Sequence, residues 1–428
     1  MKQRRLFYFF ISALICFFGV SVPVFSYTKT SVKSSPAPTL LPFEISGWIP
    51  YWRTATGTVD ALVHLDTFKE INPFGYTVKQ SGSLFDALAV DAPEWQILMN
   101  TARIKKVRVI PTIMWSNTEA IDRVMRSKKL RTAHIKEIVA VVKKNNFDGI
   151  DIDYEGKKAE TRPYFSAFLR ELYAAMGKKW VMCTIEARTP LNDRFDVIPK
   201  NVEFANDYAA INKYCDRVRI MAYDQQATDL RLNEAAPGPY VPVADPKWVE
   251  KVIALAVKTI AKKKIVIGIP TYGYEYQVTP LNYGYRYDRL WAFNPQYGVE
   301  LAQQNGMHPE RNLSGELSFR YPIPSPGITP AQTPDPIPSN PELASMLSAV
   351  APEAQATTSL VKNTERVPVG DVPEATTTPF RLLWWSDGQA IKDKVDLAKK
   401  LGVRGVAIFK IDGGEDPGMW DVLRAAMR

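Results

Sequence analysis

The chain has 428 residues, 46% of them hydrophobic, enough to bury one large core or two smaller ones. Its formal net charge is +9, but the Lys and Arg residues are dispersed and form no long stripe. That argues against nucleic-acid binding and for mild attraction to anionic surfaces such as a cell envelope. Three histidines (His64, His134, His308) and three cysteines make no ligand-spaced cluster, so no zinc or copper site is implied and no metal is expected.

At the N-terminus, Lys2, Arg4 and Arg5 precede an apolar run from Leu6 to about Phe25, the pattern of a secretory signal. Val24-Phe25-Ser26 suits cleavage after Ser26. The run also approaches the length of a membrane span, so an uncleaved signal anchor that tethers the protein to a membrane is the alternative. In both cases the rest of the chain is expected outside the cytoplasm, secreted or held at the envelope. Residues 27–43 contain Ser34-Ser35-Pro36-Ala37-Pro38 and read as a flexible tether.

From residue 44 to 428, apolar β-type segments alternate with amphipathic helical stretches such as 162–176 and 247–262, which argues for βα units and a parallel sheet. Eight strand candidates lie near 46–52, 67–78, 106–115, 147–155, 179–188, 216–224, 264–276 and 402–411. Cys183 sits in one of them and Cys215 just before another. A disulfide between them is permitted outside the cytoplasm, and two buried thiols fit equally well. From Tyr321 to about Pro379 the composition turns to Pro, Ser, Thr and Ala. Such a stretch cannot bury enough apolar surface to offset its ordering entropy, and it is expected to be a largely disordered insertion between strands seven and eight.

The densest chemistry lies at 147–155, Phe-Asp-Gly-Ile-Asp-Ile-Asp-Tyr-Glu. A strand puts alternate residues on one face, so Asp151, Asp153 and Glu155 point the same way. Carboxylates crowded on a buried face repel and are costly to desolvate, which pushes their pKa values apart and leaves one protonated at neutral pH. A divalent cation on the three acids is the competing use, and it predicts loss of activity with a chelator.

This segment resembles the DGxDxDxE signature of glycoside hydrolase family 18, the chitinase family. The resemblance implies a (β/α)8 TIM barrel with the motif on the fourth strand, which the count of eight candidates fits. It implies a retaining glycosidase in which the substrate's own 2-acetamido oxygen attacks the anomeric carbon. Glu155 would be the general acid and then base. Asp153 would orient the acetamido group and stabilise its developing positive charge, with Asp151 sharing a proton or hydrogen bond with it. Asp148, out of step, is expected to be structural. Met221-Ala222-Tyr223-Asp224 resembles the family's MxYD element, in which Tyr223 would donate to the acetamido oxygen and Asp224 would contact sugar or the catalytic acid. Tyr76, Trp115 and nearby Asn117 are the further candidates for sugar contact, on the match between aromatic faces and sugar C–H faces.

Gly268–Glu275, Leu383–Asp387, Glu415-Asp416-Pro417 and Trp420 resemble a bacterial branch that includes spore-cortex and other peptidoglycan-directed N-acetylglucosaminidases. The expected partner is therefore a polysaccharide containing N-acetylglucosamine, peptidoglycan or chitin, acted on by a monomer without a cofactor. One position departs from the family: Phe409 stands where a tryptophan commonly floors the reacting sugar. That departure is the feature favouring the rival reading, a non-catalytic glycan-binding protein.

Overall fold

Eight short strands close into a parallel barrel: Glu44–Pro50, Glu70–Val78, Thr112–Trp115, Gly149–Tyr154, Trp180–Glu186, Arg217–Met221, Ile265–Pro270 and Gly405–Phe409. Each pairs in parallel with the next, and the eighth pairs with the first, so no barrel edge is left open. The computed structural model describes residues 42–282, 284–323, 359–362 (backbone only) and 378–428. The leader, nearly all of the tether and most of the Pro-rich stretch lie outside the described residues.

Helices cover the barrel, and their ends are set locally. Helix Gly388–Leu401 begins where Asp387 accepts a hydrogen bond from the Ala390 N–H at 3.1 Å, and ends at Gly402 in the left-handed region. Helix Pro246–Ala256 has Asp245 as its cap and Pro at its first position. Such helices bury an apolar stripe, as Trp248, Val249, Val252 and Ile253 do.

The strands are buried on both faces, but the barrel interior is charged at one level. Arg219, fully buried on the sixth strand, forms ion pairs with Asp151 at 2.8 Å and with Glu70. Glu70 also pairs with Arg108 at 3.3 Å, and Glu44 holds Arg217 and Arg404. Buried charges survive only when compensated in this way. Above them sits an apolar plug of Trp48, Phe74, Met114, Val266 and Ala407, against which Trp52 and Phe409 pack.

The strand-seven candidate 264–276 resolves into two elements. Ile265–Pro270 is the barrel strand, and Gly273–Leu281 belongs to a separate antiparallel sheet. The chain breaks direction at Thr271, whose N–H donates to the Phe409 carbonyl at 2.9 Å. An unbroken apolar run hides that turn. The antiparallel sheet also contains Gly284–Phe293, Glu310–Arg311, Leu317–Pro322, Ser359–Lys362 and Phe380–Trp385. Between strands seven and eight the described chain therefore forms a folded sheet, and Tyr321 and Pro322, expected within the disordered insertion, end one of its strands. Glu316 fastens this sheet. Its carboxylate accepts from Val243 N (2.8 Å), Ala244 N (3.0 Å) and Trp384 Nε1 (2.8 Å) and pairs with the buried Lys394 at 3.3 Å. Cys183 and Cys215 form a disulfide, with Cα atoms 5.9 Å apart.

Candidate active site

The C-terminal ends of the barrel strands converge on a cleft of about 280 Å³ lined by Glu155, Glu186, Arg194, Tyr223, Asp224 and Trp248. Register explains which acids reach it. The fourth strand pairs Thr112 with Asp151 and Met114 with Asp153 on the third, and Asp153 with Thr184 on the fifth. The inward face thus carries Asp151 and then Asp153, and the strand ends one residue short of Glu155. Glu155 is anchored by its N–H, which donates to the Trp115 carbonyl at 2.8 Å, and its side chain is half-buried at the cleft.

Asp151 is the deepest of the three and has no solvent contact. Its carboxylate accepts from Trp48 Nε1 at 3.2 Å, Thr112 Oγ1 at 2.8 Å and Thr184 Oγ1 at 2.9 Å, and pairs with Arg219. Four groups thus hold its oxygens, and its influence on Asp153 seen here is one of charge. Burial, then the negative charges of Glu155, Asp151 and Glu186, push the Asp153 carboxyl well above the usual range, and Lys157 opposes them only in part. Asp153 therefore holds its proton to higher pH than an ordinary carboxyl, and its buried Oδ1 has no hydrogen-bond partner among the described residues.

Tyr223 closes the sixth strand's side of the site. Gly268 on strand seven makes room for its ring, since a Cβ there would lie 2.8 Å from both the Tyr223 ring and the Ile220 carbonyl oxygen. The ring stacks on Phe409 at 5.5 Å between centroids and 13° between planes. Burial, followed by the Asp153 and Asp224 charges, raises the phenol's pKa well above its ordinary value, so it remains a donor. Asp224 adopts the left-handed region (φ 56°) and accepts from Tyr272 Oη at 2.7 Å and Tyr274 Oη at 2.8 Å. Phe409 touches Trp48, Phe74 and Tyr272 as well as Tyr223, an aromatic floor at the mouth of the barrel.

Two expected sugar contacts, Tyr76 and Trp115, lie in the core. Tyr76 is 3% exposed and packs on Phe147 in the core. Trp115 is 2% exposed and packs on Tyr154 and His134. Trp115 pairs in register with Tyr154, the residue out of step with the acids, so it points outward into the helical layer. A register shift between Phe74 and Tyr76 puts Phe74 on the inward face and Tyr76 with the outward Ile113. The Asn117 carboxamide oxygen caps helix Thr118–Arg126, accepting from the Ala120 N–H at 2.9 Å. Asp148 accepts from the Val109 N–H at 2.8 Å, a structural role.

Glu186, which the motif reading passed over, ends the fifth strand in the same cleft. It accepts from Asn206 Nδ2 at 2.6 Å and Gly156 N at 3.2 Å, and pairs with Lys157 at 3.6 Å. Burial would raise its pKa, but Lys157 and these hydrogen bonds outweigh burial and lower it, so it stays ionised. Its signal in the sequence was a carboxylate at a strand end. Arg219 was signalled by a charge inside an apolar strand, which must find a partner. Among the described residues no group of three or more His, Cys, Asp or Glu side chains is placed to hold a metal ion.

Comparison with known proteins agrees with this geometry. The sequence pattern of glycosyl hydrolases family 18 matches residues 54–414. YvbX of Bacillus subtilis, described as an uncharacterized glycosylase, is 26% identical over 270 residues, 61% of this chain and 70% of that protein. A second B. subtilis relative, YdhD, is 26% identical over 212 residues that make up 46% of its length. Among solved structures, the spore cortex-lytic enzyme SleL of Bacillus megaterium superposes with a TM-score of 0.62 at 19% identity, over 92% of this chain and 76% of SleL. A class V chitinase from Pseudomonas fluorescens gives 0.63 at 20% identity, over 90% of this chain and all of the other. Both share the barrel fold. The chain belongs to glycosyl hydrolase family 18.

Proposed function

We propose that the protein is a retaining glycosidase that hydrolyses β-1,4-linked N-acetylglucosamine glycans through the substrate's own acetamido group. The observation that carries this reading is Asp153: a buried carboxyl of raised pKa, with an oxygen that has no hydrogen-bond partner among the described residues, beside the cleft-facing Glu155 and the protonated Tyr223. In this reading Asp153 accepts the acetamide N–H and orients the carbonyl oxygen toward the anomeric carbon. Tyr223 donates to that oxygen. Glu155 delivers a proton to the leaving glycosidic oxygen, and then removes one from the water that opens the intermediate. A second carboxylate acting as nucleophile is not needed, which fits Glu186 being held by Lys157 and Asn206.

Peptidoglycan is the favoured substrate, on the resemblance of the C-terminal segments and on the basic, apolar leader that would carry the chain to the envelope. Chitin oligosaccharides are the runner-up. The glycan-binding reading rests on Phe409, but its stacking on Tyr223 keeps an apolar floor and supports turnover. The test is digestion of purified peptidoglycan and of chitin oligosaccharides by wild type and Glu155→Gln, with products analysed by mass and anomeric form. New N-acetylglucosamine reducing ends of β configuration, lost in the variant, are expected. Tight binding with no cleavage by wild type would overturn the reading in favour of a lectin.

A further inference from the structure

Beyond the fifth strand, the loop leaving the cleft builds a second cavity of about 480 Å³. Thr189 lines both it and the catalytic cleft, and the Asn206–Glu186 hydrogen bond forms part of the wall between them. The cavity is cationic. Arg162 and Arg188 line it with Lys258, against one acid, Asp207. Asp207 caps a helix, its Oδ1 accepting from the Ala209 and Ala210 N–H groups.

Arg188 is the centre of the cavity. It is half-buried, with its guanidinium 3.7 Å from the Phe204 ring centre and 4.3 Å from that of Tyr208. One Nη donates to the Asn206 carbonyl at 3.0 Å, and among the described residues it forms no ion pair. Burial lowers its pKa and the nearby Arg162 charge adds to that, while Tyr208 and the Glu186 carboxylate beyond the wall act in the opposite sense. The buried Tyr208 Oη, beneath the same guanidinium, also has no hydrogen-bond partner among the described residues. A half-buried cation near a second one, beside a buried hydroxyl with no partner among the described residues, has only Glu186 and Asp207 to offset it, and a bound anion would complete the set. A planar guanidinium fixed between rings is preorganised for a carboxylate.

We infer that this cavity is a subsite for a carboxylate carried by the glycan, bound by Arg188 and Arg162 with the Tyr208 hydroxyl as a further donor. The inference rests on the glycosidase reading above and deepens it: the preferred substrate is an acidic N-acetylated glycan, one whose sugars carry an ether-linked carboxylate, over a neutral one. Fixed charge explains the preference, because three cations line the cavity against one acid and attract an anionic polymer as they do not a neutral one.

The test compares the full chain on peptide-free peptidoglycan strands with free lactyl carboxylates and on the same strands with those carboxylates amidated. Wild type is expected to favour the free acid about tenfold or more in kcat/KM, the worth of one charge-assisted hydrogen bond. The advantage should shrink at high salt. Arg188→Gln and the exposed Arg162→Gln should each erase it through KM, and Arg188→Lys should restore part of it. Equal cleavage of acid and amide by wild type, or equal losses on both in the variants, would overturn the inference. If wild type cleaves neither strand, the glycosidase reading fails. The subsite is then decided by NMR titration of the protein with N-acetylmuramic acid and its amide: shifts at Arg188 with the acid alone sustain it, and their absence refutes it.

Discussion

Replacing Asp153 with Asn should stabilise the protein at neutral pH relative to acid while removing its activity. An unfolded chain holds this aspartate near its ordinary 3.8, whereas burial and the charges of Glu155, Asp151 and Glu186 raise the native value well above that. Between the two values the folded state binds a proton that the unfolded state lacks. Stability contributed by this group is therefore present at low pH and falls as pH rises, by about 1.4 kcal/mol per pH unit for one proton. The amide of the Asp153→Asn variant carries no such titrating proton. Its N–H groups add a pH-independent cost of about 1–3 kcal/mol if they find no acceptor. The stability difference, variant minus wild type, should thus start negative near pH 4 and climb by up to about 1.4 kcal/mol per unit until the native value is reached. Denaturant unfolding of both proteins at half-unit steps from about pH 4 to 8 measures it. A flat difference, or one that falls with pH, would refute the raised Asp153 pKa on which the proposed mechanism depends. Activity should drop by roughly 100-fold or more, the usual loss when one group aligned with the transition state is removed.

Tyr223→Phe keeps the stacking on Phe409 but deletes the hydroxyl, so kcat should fall by roughly 100-fold with little change in melting temperature; equal activity would remove Tyr223 from the chemistry. Arg219→Met leaves Asp151 and Glu70 without their buried partner and should cost about 3–5 kcal/mol. The lower end is expected, because Thr112, Thr184, Trp48 and Arg108 remain, and a loss under about 1 kcal/mol by chemical denaturation would contradict the pairing. The Cys183–Cys215 bridge spans 32 residues, and removing both cysteines by Ala substitution should cost up to about 4 kcal/mol. Alkylation of Cys183 and Cys215 in the denatured, unreduced protein would show that the bond is not present in solution.

Glu155, Asp153 and Asp151 were legible because their spacing of two is the period of a strand, and no other local structure puts them on one face. Tyr223 and Asp224 were legible through their resemblance to the family's MxYD element at the end of another apolar strand, and the barrel was implied by the family resemblance, which the count of such strands fits. Strand period alone cannot say which face looks inward. Tyr76 and Trp115 carried the right chemistry and the wrong parity: a register shift at Gly75 and the pairing of Trp115 with Tyr154 turned both outward. Phe74 and Met114, with nothing to mark them in the sequence, took the inward places. The partners of Asp151 come from four strands distant in the chain, and the burial and neighbouring charges that raise the Asp153 pKa come from groups that only the closed barrel brings together. The acids, their order and their shared face were thus written in local periodicity, and the barrel that displays them in the resemblance of the motif. Which carboxylate has its pKa raised, which aromatic rings form the floor and where a second, cationic cavity lies depended on closure of that barrel. Desolvation and Coulomb energy follow distance through space, which the order of residues does not contain.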